Sequence, residues 1–387
     1  MKYYLIAGEA SGDLHGSNLM KGLLRSDPQA EFRFWGGDLM AAVGGREHLA
    51  KHYRDASFFG IGEIVRRLPT VLAQIRECKR DIAAYAPDVL VLIDYPGFNF
   101  RMAKFAHGCG IRVFYYISPK VWAWKEHRVE RIRRYVDKLF IIFPFEVEYF
   151  ARRGIDAVYE GNPLMDAIAE RCAAMPLREE FFRANGFGAR PVIALLAGSR
   201  RSEVRNNLPF MAALAELMPE YDFVLAAVPW LGELLAGSRI ICLYDKTYEI
   251  VRYADAAVVT SGTATLETAL IGTPEVVCYR TDALTVWAGR RLLKIPYISL
   301  VNLVMGREVV KELIQQEMTP ERAAEELRAI LPGGGQRERM LADYDALRKR
   351  IGGPGASERV AARMVALLKG EKAPRPTERE QENGGAK

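Results

Sequence analysis

The sequence contains few of the residues that cross-link chains or bind metal ions. Its 387 residues include five cysteines and five histidines. The cysteines are far apart, odd in number and without a Cys-x-x-Cys pair, so neither disulfides nor a structural zinc site is indicated. Because histidines are scarce and no cofactor motif is present, we expect a functional site with no metal and no cofactor.

Long hydrophobic runs are also absent. No segment approaches the about eighteen apolar residues that a membrane-spanning helix needs. The apolar stretch at 3–8 is too short for a signal peptide and meets Glu9 too soon. Half of the residues are hydrophobic, and 387 residues suffice for two domains with separate cores. We therefore expect a globular, cytoplasmic protein.

The first strand-to-helix turn lacks the common patterns for binding nucleotides. It reads Gly8-Glu9-Ala10-Ser11-Gly12-Asp13 and follows a predicted strand at 3–7. The Gly-x-x-x-Gly spacing matches neither the dinucleotide fingerprint nor the phosphate loop with its lysine. The carboxylates of Glu9 and Asp13 would also repel a pyrophosphate, so a dehydrogenase or kinase is disfavoured.

Two turns in the second half have a different composition. A predicted strand at 192–197 leads into Gly198, Ser199 and Arg200, and another at 256–260 leads into the run 261–267, Ser-Gly-Thr-Ala-Thr-Leu-Glu. Small residues let a phosphate approach backbone N–H groups and the positive end of a helix. Glu267, one turn into the helix, is placed to accept hydrogen bonds from a ribose diol. This combination indicates a nucleotide-sugar site.

Strands and helices alternate through both halves of the chain. Strands are predicted at 3–7, 31–35, 88–93, 113–117, 139–143, 192–197, 223–227, 239–243, 256–260 and 276–279. This alternation predicts the α/β class, with two Rossmann-like doubly wound domains facing a cleft. The expected divisions are 1–163, 164–345, helices at 346–370 that could pack back on the first domain, and a disordered polar tail at 371–387.

Asp94 closes the apolar strand predicted at 88–93 and precedes a Pro-Gly turn. A carboxylate at the carboxyl end of a buried strand lies where ligands bind, and partial burial raises its pKa towards that of a general base. The alternative is a simple helix or turn cap. Asn99 is the natural partner for this carboxylate.

Paired tryptophans, Trp122 and Trp124, follow the strand predicted at 113–117. Such side chains are costly to expose, so they either plug the core or line a pocket for an apolar or sugar ligand. Further along, 302–316 has the pattern of an amphipathic helix. Its polar residues either face the cleft or make an ordinary exposed face, and they are Asn302, Arg307, Glu308, Glu312 and Gln315.

The net charge of +6 is distributed unevenly. Basic residues are frequent at 125–138 and at 66–80, where they adjoin the apolar stretch 58–65. This composition fits a peripheral site on an anionic membrane or for a phosphorylated lipid, and equally a solvated helix face beside ordinary core. No nucleic-acid motif accompanies the charge. The candidate membrane-facing residues are Phe58, Phe59, Ile61, Ile64, Arg66 and Arg67.

Seven motifs in this order resemble the lipid A disaccharide synthase family. They are the turn 8–13, Asp94-x-Pro-x-Phe-Asn99, Ser118-Pro-x-Val-Trp-Ala-Trp124, Gly161-Asn-Pro163, Gly198-Ser-Arg200, the run 261–267 and the block 302–315. The resemblance covers residues 3 to about 369. Ala197 and Val301 stand where the family usually has proline.

The resemblance implies a glycosyltransferase-B fold, with the acceptor on the first domain and the UDP-sugar on the second. The implied reaction transfers 2,3-diacylglucosamine from UDP to 2,3-diacylglucosamine 1-phosphate, which gives the β-1,6 disaccharide of lipid A and UDP. Asp94 is the implied general base of an inverting, metal-independent displacement. The implied partners are these two lipids, the cytoplasmic leaflet of the inner membrane and, in a homodimer, a second copy.

The implied binding residues divide between the two domains. UDP-sugar contacts are expected from Gly198, Ser199, Arg200, Ser261, Gly262, Thr263, Ala264, Thr265, Glu267, Asn302 and Gln315. Acceptor contacts are expected from Glu9, Ser11, Gly12, Asp13, Asn99, Trp122 and Trp124. Two rival functions remain: a UDP-sugar epimerase or hydrolase on the same fold, and a non-catalytic protein that binds membranes or sugar nucleotides.

Overall fold

The computed structural model describes residues 1–56, 68–123, 126–198, 200–227, 239–280 and 296–370. Several predictions lie outside these residues. They concern Trp124, Ser199, the tail at 371–387 and the membrane-facing candidates Phe58, Phe59, Ile61, Ile64, Arg66 and Arg67.

The first half forms a seven-stranded parallel sheet with the order β3-β2-β1-β4-β5-β6-β7. Its strands are β1 (Lys2–Ala7), β2 (Glu31–Gly36), β3 (Leu49–His52), β4 (Val89–Ile93), β5 (Arg112–Tyr116), β6 (Lys138–Ile141) and β7 (Ala157–Tyr159). The strand order reverses between β1 and β4, so a crevice opens outside their carboxyl ends.

Helices cover both faces of this sheet, which explains why β4 is buried at every position. They are α1 (Ala10–Ser26), α2 (Asp38–Gly44), α3 (Tyr53–Ala56), α4 (Leu68–Tyr85), α5 (Pro96–Gly108), α6 (Val129–Tyr135) and α7 (Pro144–Ala151). Core clusters on the two faces hold side chains of opposite parity, such as Tyr4 and Ile6 on one and Tyr3 and Leu5 on the other.

The second half repeats the plan with a six-stranded parallel sheet, ordered β10-β9-β8-β11-β12-β13. Its strands are β8 (Val192–Leu196), β9 (Asp222–Ala227), β10 (Ile241–Tyr244), β11 (Ala256–Thr260), β12 (Glu275–Tyr279) and β13 (Lys311–Ile314). Here the order reverses between β8 and β11, and both strands precede the turns predicted to bind a nucleotide sugar.

Nine helices with described bounds accompany this sheet or follow it. They are α8 (Leu164–Ala173), α9 (Arg178–Ala184), α10 (Arg201–Leu217), α11 (Thr247–Tyr253), α12 (Thr263–Ile271), α13 (Leu300–Met305), α14 (Pro320–Ile330), α15 (Arg337–Ile351) and α16 (Ala356–Lys369).

The last helix, α16, returns to the first sheet and packs on α1. A Cβ at Gly22 would lie 2.8 Å from the Cβ of Ala361, so the two helices approach closely. Arg25 and Glu358 form an ion pair at 2.7 Å across this contact. The chain therefore crosses between the two halves twice.

The two parallel-sheet α/β architecture predicted from the sequence is confirmed. The prediction of one amphipathic helix over 302–316 is wrong. Helix α13 ends at Met305, and Gly306 follows in the left-handed region with φ of 70°. The chain then extends as β13 and pairs with β12. Sheet pairing at this edge overrides the helical periodicity of the sequence.

Candidate active site

Asp94 and Tyr95 form the turn after β4, and both have left-handed backbone conformations. Their φ angles are 43° and 46°. Residues with a Cβ seldom adopt this region, and those that do concentrate at functional sites. The Asp94 carbonyl accepts hydrogen bonds from Asn99 Nδ2 at 2.7 Å and from Tyr115 Oη at 2.6 Å. Side chains from α5 and β5 therefore hold this turn in place.

The environment of the Asp94 carboxyl suits a proton acceptor. Burial raises its pKa to about 6, and the negative charge of Glu9 acts in the same direction. The charge of Lys120 and a hydrogen bond from the backbone at Tyr95 partly oppose them. With a pKa near 6, the group stays mostly ionised at neutral pH and is more basic than an ordinary aspartate.

Asn99 supports the turn from inside the protein. It is fully buried, and its amide donates to the carbonyls of Ile93 and Asp94 at 3.3 and 2.7 Å. The predicted partnership with Asp94 is therefore real, but it involves the backbone carbonyl instead of the carboxylate. Because Asn99 is fully buried, the geometry gives no support to the predicted acceptor contact.

The turn after β1 lies against the turn after β4. A Cβ at Gly8 would lie 2.3 Å from the ring of Tyr95, so only glycine fits there. Glu9 and Ser11 are exposed, and Ser11 Oγ donates to Glu9 Oε1 at 3.2 Å. Gly12 is buried, and a Cβ on it would meet the Cβ of Ala7 at 3.2 Å. Two exposed polar groups thus border the crevice that contains Asp94.

Asp13, the last residue of this motif, is only 3% exposed. Its carboxylate accepts hydrogen bonds from the backbone N–H groups of Gly37, Leu39 and Met40, at 2.7, 3.1 and 3.0 Å. It thus serves as the N-terminal cap of α2. Backbone N–H groups of the protein already bond both oxygens of this carboxylate. The geometry therefore gives no support to the predicted acceptor contact.

Trp122 packs against the aromatic residues that follow β6. Its indole N–H donates to Glu146 Oε1 at 3.0 Å, and its ring makes edge contacts with Phe143 and Phe145. Trp122 and Phe145 also pack against the large core cluster that contains Phe143 and the buried strands of the second half. Glu146 is almost completely buried, which raises its pKa to about 7. Of the two roles predicted for Trp122, filling the core describes its position better.

The turn after β8 is closed by Glu203, a residue that the sequence did not single out. Gly198 has a φ of 107°, and a Cβ there would lie 2.7 Å from Glu203 Oε2. The backbone N–H of Arg200 donates to Oε2, and its Nη1 donates to Oε1, both at 3.2 Å. The Arg200 side chain is still 80% exposed, so a ligand can reach the guanidinium.

The turn after β11 starts α12 with an exposed Gly262 and an exposed Thr263. Ser261 Oγ donates to the carbonyl of Ile298 at 2.9 Å, and Thr265 Oγ1 donates to the carbonyl of Gly262 at 2.9 Å. These bonds fix the backbone while the first N–H groups of the helix have no partner within it. Ala264, half-buried, adds no bulk beside them.

Glu267 lies one turn into α12 and is mostly buried. Tyr248 Oη, from α11, donates to its Oε1 at 2.7 Å. Burial raises the pKa of Glu267, and the hydrogen bond from Tyr248 partly opposes this shift. A single phenol therefore orients the carboxylate that is expected to meet a ribose.

Asn207 links the two turns, and no motif in the sequence indicated it. It is 1% exposed, and its Nδ2 donates to the carbonyl of Ala197 at 3.1 Å and to Thr260 Oγ1 at 2.8 Å. These atoms lie at the ends of the neighbouring strands β8 and β11. An Asn seven residues after Arg200 was the available signal, since it falls on the sheet-facing side of α10.

The amide of Asn302 is completely used by the chain. Nδ2 donates to the Val310 carbonyl and to Glu312, and Oδ1 accepts from the N–H groups of Val309 and Val310. The geometry gives no support to a UDP-sugar contact from Asn302, which instead shapes the connection into β13. Gln315, by contrast, immediately follows β13, at the edge of the sheet formed by the carboxyl ends of the strands. Its φ is 57°.

Two further features concern metals and membranes. Among the described residues, no group of three or more His, Cys, Asp and Glu side chains is placed to hold a metal ion. Within the same residues, no helix is long and apolar enough to cross a membrane.

Comparison with known structures identifies the fold. A UDP-GlcNAc 2-epimerase from Neisseria meningitidis, solved with UDP-GlcNAc, aligns with a TM-score of 0.67 and 12% identity over 95% of this chain and 100% of that one. A UGT transferase from Siraitia grosvenorii, solved with UDP, aligns with a TM-score of 0.60 and 15% identity over 95% and 99%. At such identities the likeness shows the glycosyltransferase-B type of fold alone.

Comparison of sequences is more specific. The family model for lipid-A-disaccharide synthetase matches residues 3–360. The lipid-A-disaccharide synthase of Myxococcus xanthus is 38% identical over 375 residues, 94% of this chain and 97% of that protein. The enzyme of the same name from Syntrophus aciditrophicus is 39% identical over 382 residues, with the same shares. The chain therefore belongs to the lipid-A-disaccharide synthase family of glycosyltransferases.

Proposed function

We propose that this protein transfers 2,3-diacylglucosamine from its UDP derivative to 2,3-diacylglucosamine 1-phosphate, with release of UDP. The match to the family model over residues 3–360 carries this proposal. The product is a β-1,6-linked disaccharide 1-phosphate, the intermediate of lipid A. We assign the acceptor to residues 1–163, the donor to 164–345, and the joining role of the terminal helices to 346–370.

The proposed reaction is a single displacement at the anomeric carbon of the donor. Asp94 accepts the proton of the acceptor 6-hydroxyl as its oxygen attacks, and the bond from the anomeric carbon to UDP breaks on the opposite face. An α-linked donor then gives a β-linked product. The raised pKa of the Asp94 carboxyl, about 6, supports its role as the base.

The second domain is proposed to stabilise the departing UDP. The exposed start of α12, at Gly262 and Thr263, offers N–H groups and the positive end of a helix to the diphosphate. Arg200 supplies an exposed positive charge, and Glu267 binds the ribose hydroxyls. The start of α12 and Arg200 together provide the positive charge that a divalent ion would otherwise supply.

The lipid substrates imply a membrane surface. We propose that the protein associates peripherally with the cytoplasmic side of the inner membrane through the apolar and basic segment 58–67. Replacement of Phe58, Phe59, Ile61 and Ile64 with serine should reduce sedimentation with anionic vesicles and leave UDP binding intact. A homodimer is a further proposal, which sedimentation equilibrium of the purified chain would test.

Release of UDP separates the proposed function from its rivals. The purified protein is incubated with UDP-2,3-diacylglucosamine, with and without the acceptor 1-phosphate, and with and without EDTA. We expect UDP to appear only with acceptor and at equal rates in EDTA. Release of UDP without acceptor would indicate a hydrolase. Conversion of the donor into a second UDP-sugar would indicate an epimerase, and no change in any mixture would indicate a binding protein. Loss of activity in EDTA would contradict the metal-free scheme.

A further inference from the structure

A pocket with a volume of about 490 Å³ opens between α5 and the segment that leads into α6. Its charged and aromatic lining consists of Phe100, Arg101, Lys104, Arg128, Arg131 and Tyr135. Among the described residues that line it, none is acidic. We refer to it as the basic pocket. Its size is in the range of sites for small molecules.

The positive charges of the basic pocket lie close together. Burial, together with the charge of Arg131, lowers the pKa of Arg128. The Arg131 guanidinium also lies 6.0 Å from the centre of the Phe100 ring, so an aromatic face forms part of the wall. Arg101, Lys104 and Arg131 are exposed and accessible to a ligand. Concentrated charge of one sign in a concave site attracts an anion.

Nearby carboxylates form ion pairs with arginines that do not line the basic pocket. Glu130, on α6, forms an ion pair with Arg133 at 2.5 Å. Glu126 forms an ion pair at 2.5 Å with Arg153, which does not line the pocket. Both acids therefore have partners outside the basic pocket, which keeps its net positive charge.

The basic pocket adjoins the turn that carries the proposed base. Pro96 and Gly97 line the pocket and begin α5, immediately after the Asp94 turn. Arg128 lies near enough to the Tyr115 hydroxyl for each to influence the pKa of the other. That hydroxyl donates to the Asp94 carbonyl at 2.6 Å. The basic pocket therefore adjoins the side chains that hold the Asp94 turn.

We propose that the basic pocket binds the phosphomonoester of the glycosyl acceptor. This inference rests on the proposed function, because that acceptor carries its 1-phosphate and its reacting 6-hydroxyl on the two sides of the ring oxygen of one hexose, close enough to reach neighbouring sites. Arginine forks match phosphate oxygens in pairs, and lysine adds a point charge. Phosphate held in the pocket orients the hexose so that the 6-hydroxyl faces Asp94. The basic pocket therefore selects both the phosphorylated acceptor and the hydroxyl that reacts.

The test compares 2,3-diacylglucosamine 1-phosphate with the same lipid lacking phosphate. Lys104→Ala and Arg131→Ala remove exposed cations from the lining, so the fold should persist. For each variant we expect KM for the phosphorylated acceptor to rise about tenfold to a hundredfold, with KM for the UDP donor unchanged. The ratio of kcat/KM between phosphorylated and unphosphorylated acceptor should fall by the same factor. Arg131→Lys should restore part of this ratio.

Arg134→Ala is the matched control, because it removes the same charge from α6 outside the pocket lining. It should keep the wild-type ratio between the two acceptors. An equal loss of this ratio in Arg134→Ala and Arg131→Ala would overturn the proposal, since only general surface charge would then matter. An unchanged ratio in the double variant Lys104→Ala, Arg131→Ala would overturn it directly.

A phospholipid headgroup offers the same phosphate chemistry, and vesicles distinguish this source. Co-sedimentation is measured with phosphatidylcholine vesicles, with and without phosphatidylglycerol. If the double variant loses binding to the anionic vesicles but keeps the wild-type preference for phosphorylated acceptor, the pocket is a membrane site and the proposal is wrong. Loss of the acceptor preference with vesicle binding retained supports the proposal.

Direct binding separates failure of this inference from failure of the proposed reaction. Titration calorimetry in detergent micelles measures the affinity of each acceptor without the donor. Suppose that wild type prefers the phosphorylated acceptor, that the double variant loses this preference, and that no UDP is released. The phosphate would then be correctly assigned to the basic pocket, and the proposed reaction would be wrong. If UDP release depends on acceptor but wild type binds both acceptors equally, the reaction stands and the inference fails.

Discussion

The two points where strand order reverses, between β1 and β4 and between β8 and β11, have the same architecture and opposite chemistry. At the first, two consecutive left-handed residues present an acidic group, Asp94, with Glu9 nearby. At the second, Gly198, Gly262 and Thr263 leave backbone and helix N-terminus open beside the exposed Arg200. The comparison teaches that the fold supplies two equivalent crevices, and the turn residues decide what each can do.

The two crevices are also held together in different ways. Around Asp94, buried Asn99 and Tyr115 converge on one backbone carbonyl and stabilise a strained turn. In the second crevice, buried Asn207 bridges two strand ends and leaves both turns relaxed. A strained turn that carries a partly buried carboxylate fits proton transfer, whereas relaxed turns with open N–H groups fit anion binding.

The largest expected effect is on the chemistry of the first crevice. Asp94→Asn keeps the shape of the side chain and removes the proton acceptor, so turnover should fall by about 10²–10⁴-fold. Donor affinity, which we assign to the second crevice, should stay near that of wild type. Steady-state kinetics and calorimetry with UDP measure the two quantities. A variant with most of its activity would place the base elsewhere.

Stability should change in the opposite direction to activity at this residue. Burial raises the pKa of Asp94 from 3.8 to about 6, so above pH 6 the ionised carboxylate lowers the stability of the folded state. The shift corresponds to about 3 kcal/mol. Asp94→Asn should therefore unfold at higher denaturant concentration at pH 7, and this advantage should vanish below about pH 4, where both side chains are neutral. A capping carboxylate would show the reverse at pH 7, a less stable variant.

The second crevice is tested through its carboxylate. Glu267→Ala should weaken UDP binding by about 1.5–3 kcal/mol, the usual value for a hydrogen bond to a charged group. Because burial raises the pKa of Glu267, UDP affinity should also fall as the pH is lowered and the carboxyl becomes protonated. Calorimetry measures both effects. Glu216→Ala, at an exposed carboxylate on α10, is the control, and equal affinities in the two variants would exclude a role for Glu267.

The link within the second crevice is expected to have a smaller effect. Asn207→Ala removes two hydrogen bonds and leaves a buried carbonyl without its partner, so it should lower the free energy of unfolding by about 1–3 kcal/mol. UDP affinity should fall with it, while acceptor affinity stays constant. Asn206→Ala, at the exposed neighbouring position, should change neither. If both variants bind UDP as wild type does, the two turns do not depend on this bridge.

Local patterns sufficed to predict much of the fold. Strand β11 occupies 256–260, as predicted, because it is an uninterrupted apolar run bounded by turn residues. The stretch after Gly306 was misassigned because its apolar residues have helical spacing, and only the neighbouring strand β12 makes it extended. Long-range pairing of this kind leaves no local signal in the sequence.

Within the candidate site, positions were easier to predict than contacts. The strand-end location of Asp94 followed from the apolar run before it. The internal roles of Asp13 and Asn302 could not be foreseen, because they depend on backbone groups of α2 and of the β13 connection. Tyr248, Glu203 and Asn207 were also missed, because none of them belongs to a recognised motif and each acts through a contact that only the folded chain makes.

The central claim, that the first crevice accepts the proton, is tested most directly by the pH dependence of kcat/KM for the acceptor. Wild type should lose activity about tenfold per pH unit below an apparent pKa near 6, as Asp94 becomes protonated. The substrate phosphates titrate in the same range, but they do so equally with Asp94→Asn, which serves as the reference. The account predicts that the additional fall in kcat/KM below pH 6 is present in wild type and absent from the variant. The same fall in kcat/KM in both proteins would contradict it.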